Sequence, residues 1–342
     1  MRKRVAAGLV VLLAGLVVLT GGTANHLVAQ DKGKIAPPQH LYGHDLRVRP
    51  GGEKDFGPTT PRVGLEMFRD ESTRSIIAIS ETGAIAVSKA PVGALGMDKK
   101  CEWKTANDLH CRKAGEAEFT QKTKMWGVEM FHDRGTNQLL YVSESGSVAL
   151  APVPGGLVTD RGPKWHHAME PKVRAPEQTD FANAKKFGME VFKDENTGGL
   201  IYITEIGAVA TAASNAPFPD PKKIAPPKTQ YGLVLRVRGA EEVNFTEKTK
   251  QIGVEVFEDP NANVLFYITE AGYVATAPFT GGKYPADAKG VTWKTAMALR
   301  ARKGGQAKFE DAKKYGLEVF EDNRTGNLIF ISETGSIAVL PK

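Results

Sequence analysis

The sequence predicts an all-β fold, a five-bladed β-propeller built from five repeats of about 63 residues with four short strands each. Three observations predict it. A block reading Gly, apolar, Glu, apolar, Phe, any residue, Asp occurs five times, with its glycines at Gly64, Gly127, Gly188, Gly253 and Gly316. The intervals are 63, 61, 65 and 63 residues, too regular for chance. Each block is followed by a second one reading Ser/Thr-Glu-x-Gly-x-Ile/Val-Ala, from Ser80 to Ala86 in the first repeat and from Ser332 to Ala338 in the last. Within both blocks side chains alternate with a period of two, the signature of strands.

The last repeat shows the elements in order. In Gly316–Asp322, Leu317 and Val319 face one side of a strand, Glu318 and Phe320 the other. Asn323–Asn327 is turn chemistry, since Asn and Gly tolerate positive φ. Leu328–Ile331 is a second strand rich in β-branched and aromatic residues. Glu333-Thr334-Gly335 turns into a third, Ser336–Val339. A fourth strand lies between one such trio and the next, seen in Leu46–Arg49, Leu235–Arg238 and Leu299–Arg302. The five Phe residues of the block, Phe68, Phe131, Phe192, Phe257 and Phe320, are core candidates.

Strand order predicts a closure device. The chain opens on a Leu-Arg-Val-Arg strand and closes on a third strand, so its first strand is expected to complete the last blade and remove two free sheet edges. The alternative architecture is β-trefoil-like. Lys34–Pro38 recurs as Lys223–Pro227, and Trp103–Ala106 as Trp293–Ala296, at an offset of three repeats, and a trefoil has three four-stranded repeats. Only two repeats follow residue 214, which would leave a second trefoil incomplete. Pro- and Gly-rich stretches such as 151–156 and 216–221 read as surface connections.

At the N-terminus, Arg2, Lys3 and Arg4 precede an uncharged apolar run from Val5 to Thr20, and Gly22-Thr23-Ala24 offers small residues for cleavage. Residues 1–24 read as a secretory signal peptide, since the run is shorter than the roughly 20 apolar residues a membrane-spanning helix needs. An uncleaved membrane anchor is the alternative. Residues 25–36 read as a flexible segment, and residues 37–342 as the five-repeat propeller domain. The expected location is secreted, periplasmic or cell-surface. Of the net charge of +6, three positive charges belong to the signal, which leaves +3. Without a concentrated basic patch, that excess does not point to nucleic acid. Cys101 and Cys111 fit no zinc or haem motif. In an exported protein they are a candidate disulfide.

Three sets of repeated residues could carry chemistry. Glu66, Glu129, Glu190, Glu255 and Glu318 lie in the first block. Were that strand innermost in each blade, they would ring a central channel and could hold Ca2+ through oxygen ligands. The favoured reading is structural, because cations such as Arg47/Arg49, Arg236/Arg238 and Arg300/Arg302 recur on the neighbouring strand and can pair with them. Otherwise no cofactor is expected. Glu81, Glu144, Glu205, Glu270 and Glu333 lie in the turn before the third strand, where a carboxylate holds backbone N–H groups or, on a loop face, meets a ligand. Trp103, Trp165 and Trp293 occupy matching positions, with His40 and Thr229 at the same place in repeats 1 and 4. Burial between blades is favoured for them, and stacking on a sugar ring is the alternative. His166 and His167 are adjacent, so in a regular strand they face opposite sides and cannot chelate one ion together. No phosphate loop, dinucleotide fingerprint, zinc motif or nucleophile elbow is present.

The run Gly316-Leu317-Glu318-Val319, followed by Gly326-Asn327 and Leu328 to Val339, resembles the repeat of NHL/YVTN-type β-propellers. The resemblance covers all five repeats and implies a propeller fold with a binding role. Propellers of the gluconolactonase type carry a metal on carboxylates, and the Glu-Gly-Pro-x-Trp segment expected of them is missing here. The leading expectation is a secreted, non-catalytic, monomeric binding or scaffold propeller that recognises a glycan, peptide or protein and contacts a membrane only if the leader is retained. The alternatives are a secreted metal-dependent hydrolase or lactonase and an anchored structural protein of the cell surface.

Overall fold

The computed structural model describes residues 37–342 apart from 94, 95, 97–99, 154–160, 214–216, 218, 280, 282, 283, 286 and 287. The expected signal peptide and flexible segment lie outside the described residues.

Five four-stranded antiparallel sheets follow one another along the chain. Blade 1 is β1 (Gln39–Arg47), β2 (Arg62–Asp70), β3 (Ser75–Ser80) and β4 (Ile85–Lys89). Blade 2 is β5 (Cys101–Cys111), β6 (Lys124–Asp133), β7 (Gln138–Ser143) and β8 (Val148–Pro152). In blade 3 the first two strands are interrupted, into β9 (Pro163–Met169) and β10 (Lys172–Val173), then β11 (Lys185–Lys186) and β12 (Met189–Asp194). Pro171 stands at the break and has no N–H for the ladder. That blade ends with β13 (Leu200–Thr204) and β14 (Val209–Ala212). Blade 4 is β15 (Lys228–Val237), β16 (Lys250–Asp259), β17 (Val264–Thr269) and β18 (Val274–Pro278). Blade 5 is β19 (Val291–Ala301), β20 (Lys313–Asp322), β21 (Leu328–Ser332) and β22 (Ile337–Leu340).

The last strands of the blades are innermost. β4 contacts β8, β8 contacts β14, β14 contacts β18, β18 contacts β22, and β22 returns to β4, which closes a ring of five. The architecture is a five-bladed propeller, not a trefoil. Two expectations are corrected here. The Leu-Arg-Val-Arg strand is the outer, first strand of its own blade, since β1 pairs with β2, and blade 5 is complete with four consecutive strands. No terminal strand is shared. The strand carrying Gly-x-Glu-x-Phe is second from the outside, so its glutamates do not line a central channel.

Closure comes from five apolar seams. Each seam pairs one blade's Leu/Val/Met face with the Phe face of the next. Between blades 4 and 5, Val254 and Val256 meet Phe320 and Ile329, and between blades 5 and 1, Leu317 and Val319 meet Phe68 and Ile77. Both faces of each second strand are therefore buried. The five Phe residues are at most 6% exposed, as expected of core. Hydrogen bonds add to the last seam: Ser332 Oγ donates to the Gly83 carbonyl (3.0 Å), and the Ile85 N–H donates to Ser336 Oγ (2.9 Å). The seam between blades 2 and 3 repeats them at Ser143 to Gly207 and at Val209 to Ser147.

Cys101 and Cys111 are both free. They open and close the 11-residue strand β5, so their Cα atoms lie about 33 Å apart, far beyond the roughly 7 Å limit of a disulfide. The expected bridge does not form.

Candidate binding site

The five block glutamates anchor one arrangement built five times. Each is at most 2% exposed and takes a two-pronged ion pair from an arginine of the preceding blade. Arg49 Nε lies 2.6 Å from Glu129 Oε1 and its Nη2 3.2 Å from Oε2. Arg112 grips Glu190, Arg174 Glu255, Arg238 Glu318, and Arg302 Glu66 with the same geometry. The expected pairing is present, but it crosses blade boundaries, and its cation is the second arginine of each pair. Arg47 and Arg236 instead donate to the carbonyls of Gly57 and Thr246. Hydrogen bonds to their glutamates hold Arg49, Arg112 and Arg174 above the ordinary arginine pKa. Burial alone would raise the Glu66 pKa, but hydrogen bonds from His40 and Arg302 outweigh it and hold the carboxyl below its usual value.

The geometry explains the block glycine. A Cβ on Gly127 would lie 1.8 Å from the Arg49 carbonyl oxygen, and the other four glycines meet the matching arginine carbonyl at 1.9 to 2.1 Å. Only glycine lets the arginine segment pass this close.

The tryptophans join the same node from the first strand of the blade. A bulge after this position shifts the register in every first strand, and it sets Trp103, Trp165 and Trp293 opposite Phe131, Phe192 and Phe320. Their indole Nε1 atoms donate to Glu129, Glu190 and Glu318 at 2.5, 2.7 and 2.6 Å. His40 takes the place of the indole at Glu66, 2.7 Å away. Thr229 is opposite Phe257 in blade 4. The expectation of buried tryptophans is corrected: Trp103 is 46% and Trp165 38% exposed, while Trp293 is half-buried.

A second aromatic completes each site, and sequence reasoning missed it. Seven residues after every node arginine stands a phenylalanine: Phe56, Phe119, Phe181, Phe245 and Phe309. The third guanidinium nitrogen holds the connecting loop by a backbone carbonyl, as Arg302 Nη1 does with Ala307 at 3.0 Å. The loop then lays the ring over the cation at 4.5 to 4.8 Å. Phe and Trp stand nearly perpendicular, with centroids 6.0 Å apart at Phe56/Trp103 and 6.3 Å at Phe119/Trp165 and Phe245/Trp293. The result is a notch on the outer edge of the ring with two aromatic walls and an arginine in its corner. Phe309 meets His40 instead at 4.7 Å. Beside Phe181 the matching position is Thr229, which gives no second aromatic wall among the described residues.

The turn glutamates are occupied by backbone. Glu333 accepts from the Gly316 N–H of its own blade (3.1 Å) and the Ala240 N–H of the preceding one (2.8 Å). Glu205 does the same with Gly188 and Ala114, Glu144 with Gly127 and Gly51, and Glu81 with Gly64 and Gly304. Glu270 lacks the second donor because Pro176 stands where the others have an N–H. Burial and the nearby Glu177 raise its pKa. Among the described residues no three His, Cys, Asp or Glu converge as a metal site would need.

His166 and His167 depart from expectation. The bulge in β9 pairs Trp165 and His167 with consecutive partners and skips His166, so both rings turn into the seam. Their Nδ1 atoms meet, and His167 Nε2 lies 2.7 Å from Asp259 Oδ2 of blade 4. Both rings are buried. Burial, then the neighbouring His167, lowers the His166 pKa to about 4.

No family model matches the chain, and no curated protein does. Among solved structures, a catalytically inactive virginiamycin B lyase from Staphylococcus aureus with quinupristin is similar at 13% identity and a TM-score of 0.13, over 88% of this chain and 74% of that one. The selenomethionine-substituted form of that lyase is similar at 11% identity and a TM-score of 0.11, over 88% of each chain.

Proposed function

We propose that this is a non-catalytic binding propeller of the extracytoplasmic space, which takes glycans in the aromatic notches between its blades. The observation that carries the reading is the exposure of the paired rings Phe56/Trp103 and Phe119/Trp165, which together make up four of the seven exposed large apolar side chains among the described residues. An exposed indole with no partner is free to sample several rotamers. Here each indole is tied through Nε1 to a buried carboxylate that is itself locked by arginine, so the ring plane is set before a ligand arrives. The apolar face of a pyranose can stack on such a ring without paying to order it. Phe245/Trp293 supplies a third notch of the same geometry, so binding is multivalent. The resemblance of the repeats to NHL/YVTN units and the apolar leader support the same role and location.

Titration of the mature protein with a glycan panel, followed by tryptophan fluorescence and calorimetry, tests this. A saturable ligand should quench the emission, and Trp103→Ala combined with Trp165→Ala should abolish most of the heat while the protein stays folded. A chelator should leave binding unchanged, because the node carboxylates are committed to arginine. Binding that survives loss of all three tryptophans would overturn the assignment, and peptide ligands that outcompete every glycan would redirect it to protein recognition.

A further inference from the structure

A second, chemically different pocket lies between blades 4 and 5 and shares no lining residue with the notches. It is a cavity of about 360 Å3 with Leu265 and Pro341 in its apolar wall, Phe279 and Tyr284 as aromatic lining, and Arg324 and Asn327 at its polar side. This size suits a small ligand.

Two observations point to an occupant. The phenolic oxygen of Tyr284 is buried and has no hydrogen-bond partner among the described residues. A buried hydroxyl left unpaired costs about 1–3 kcal/mol in a folded protein, so such an atom calls for a partner. Arg324 is the second. Its guanidinium stacks on Tyr231 at 4.4 Å and spends Nε on the Ala288 carbonyl (3.3 Å), yet it has no carboxylate partner among the described residues. All five node guanidiniums have their own carboxylate, whereas this half-buried cation, which stands outside the nodes, lacks one.

The surrounding charges favour an anion. Lys342, itself exposed, also lines the cavity, and among the described residues the half-buried Glu321 is its one ion-pair partner, at 3.8 Å. Asp322 lies beneath, but the hydroxyls of Tyr231, Tyr267 and Thr325 and the Arg324 N–H cover its oxygens. Glu258 is near Tyr284 and, with burial as the larger cause, helps hold its phenol protonated, so the hydroxyl is a donor at neutral pH. Among the described residues no acidic side chain lines the cavity. We propose that this pocket binds a small aryl carboxylate, with the carboxylate on the Arg324 guanidinium and the Tyr284 hydroxyl and the ring between Phe279 and Leu265.

Ligand-observed NMR and calorimetry on the mature protein, with benzoate and 3-phenylpropionate as probes and benzamide as the neutral comparator, test it. We expect saturable binding of a carboxylate, with benzamide at least roughly tenfold weaker, the loss of one charge-assisted bond pair. Arg324→Gln should weaken the carboxylate by a similar factor, Tyr284→Phe by less, and Trp103→Ala not at all. Should Arg324→Gln lower the melting temperature by freeing Tyr231, Arg324→Lys and Tyr284→Phe carry the test. Absence of saturable binding, equal affinity for benzamide, or affinity unchanged in Tyr284→Phe and both Arg324 variants would overturn the proposal. Since Trp103→Ala separates the two sites, failure here leaves the glycan reading standing, and the reverse.

Discussion

At the scale of single residues, the five ion pairs differ in depth, and depth sets their worth. Arg238 and Glu318 are both almost fully buried, whereas Arg174 keeps a quarter of its side chain exposed against Glu255. Removing one partner from a buried pair strands the other charge, at a cost of about 3–5 kcal/mol, while a more exposed partner regains water. Glu318→Gln should therefore lower stability by about 3 kcal/mol and Glu255→Gln by roughly half as much, measured by urea unfolding. Equal effects, or none, would contradict the burial argument. His166 gives a pH dependence. Its folded pKa lies near 4, below the ordinary histidine value, so between about pH 6.5 and 4 the unfolded chain binds the proton and the folded one does not. Stability must fall with falling pH across that window. His167, Asp259 and Lys193 are the titratable neighbours that tune it. Asp259, held low by His167 and Tyr202 against its burial, extends the loss into the carboxylate range. Melting curves from pH 8 to 4 should show this slope, and His166→Leu should flatten its upper part.

Among elements, the second strand is the most constrained, because its glycine admits a neighbouring backbone and its glutamate holds a neighbouring side chain. Gly127→Ala would place a methyl on the Arg49 carbonyl, and we expect a loss of more than about 4 kcal/mol, the range of severe core overpacking and backbone displacement. Chemical denaturation checks it, and a wild-type midpoint would show that the segment can move aside. Much of this was legible in sequence. The repeated blocks disclose blade number and strand number, and alternation separates Phe320 from Val319. Partner choice was not legible: a strand flanked by two long connections carries no local mark of which sheet it joins, so β1 was expected in blade 5. The bulge was hidden for the same reason, since one skipped residue at Lys104 or His166 leaves the alternation around it intact. The tryptophan positions could be aligned, but their exposure could not, because hydrophobicity argues for burial and only the tie of Nε1 to a buried glutamate keeps them outside. The seven-residue spacing from Arg49 to Phe56 was readable, yet it lies across a loop where periodicity says nothing.

For the whole molecule, every blade consists of consecutive strands, and no sheet depends on the join between the two ends of the chain. Linking residue 342 to residue 37 and opening the chain between blades 1 and 2 should thus preserve all five sheets and all five arginine pairs. We expect such a permutant to fold, with a melting temperature within about 5 °C of the parent, a change of roughly 1–2 kcal/mol for a chain of this size. Failure to fold would mean that the seam between blades 5 and 1 needs the native ends.

Each blade carries an arginine for its successor and a glutamate for its predecessor, so the blades meet head to tail, like subunits in a cyclic oligomer whose contacts have been fused into one chain. Such an interface has no built-in count. A chain cut short after blade 4 would carry at one end the arginine-bearing face of blade 4, centred on Arg238, and at the other the Glu66 face of blade 1. These two faces are complementary, and without a fifth blade to bring them together they would find each other on separate molecules. The same repetition that lets the ring close thus turns an incomplete copy into a monomer for open, linear polymerisation.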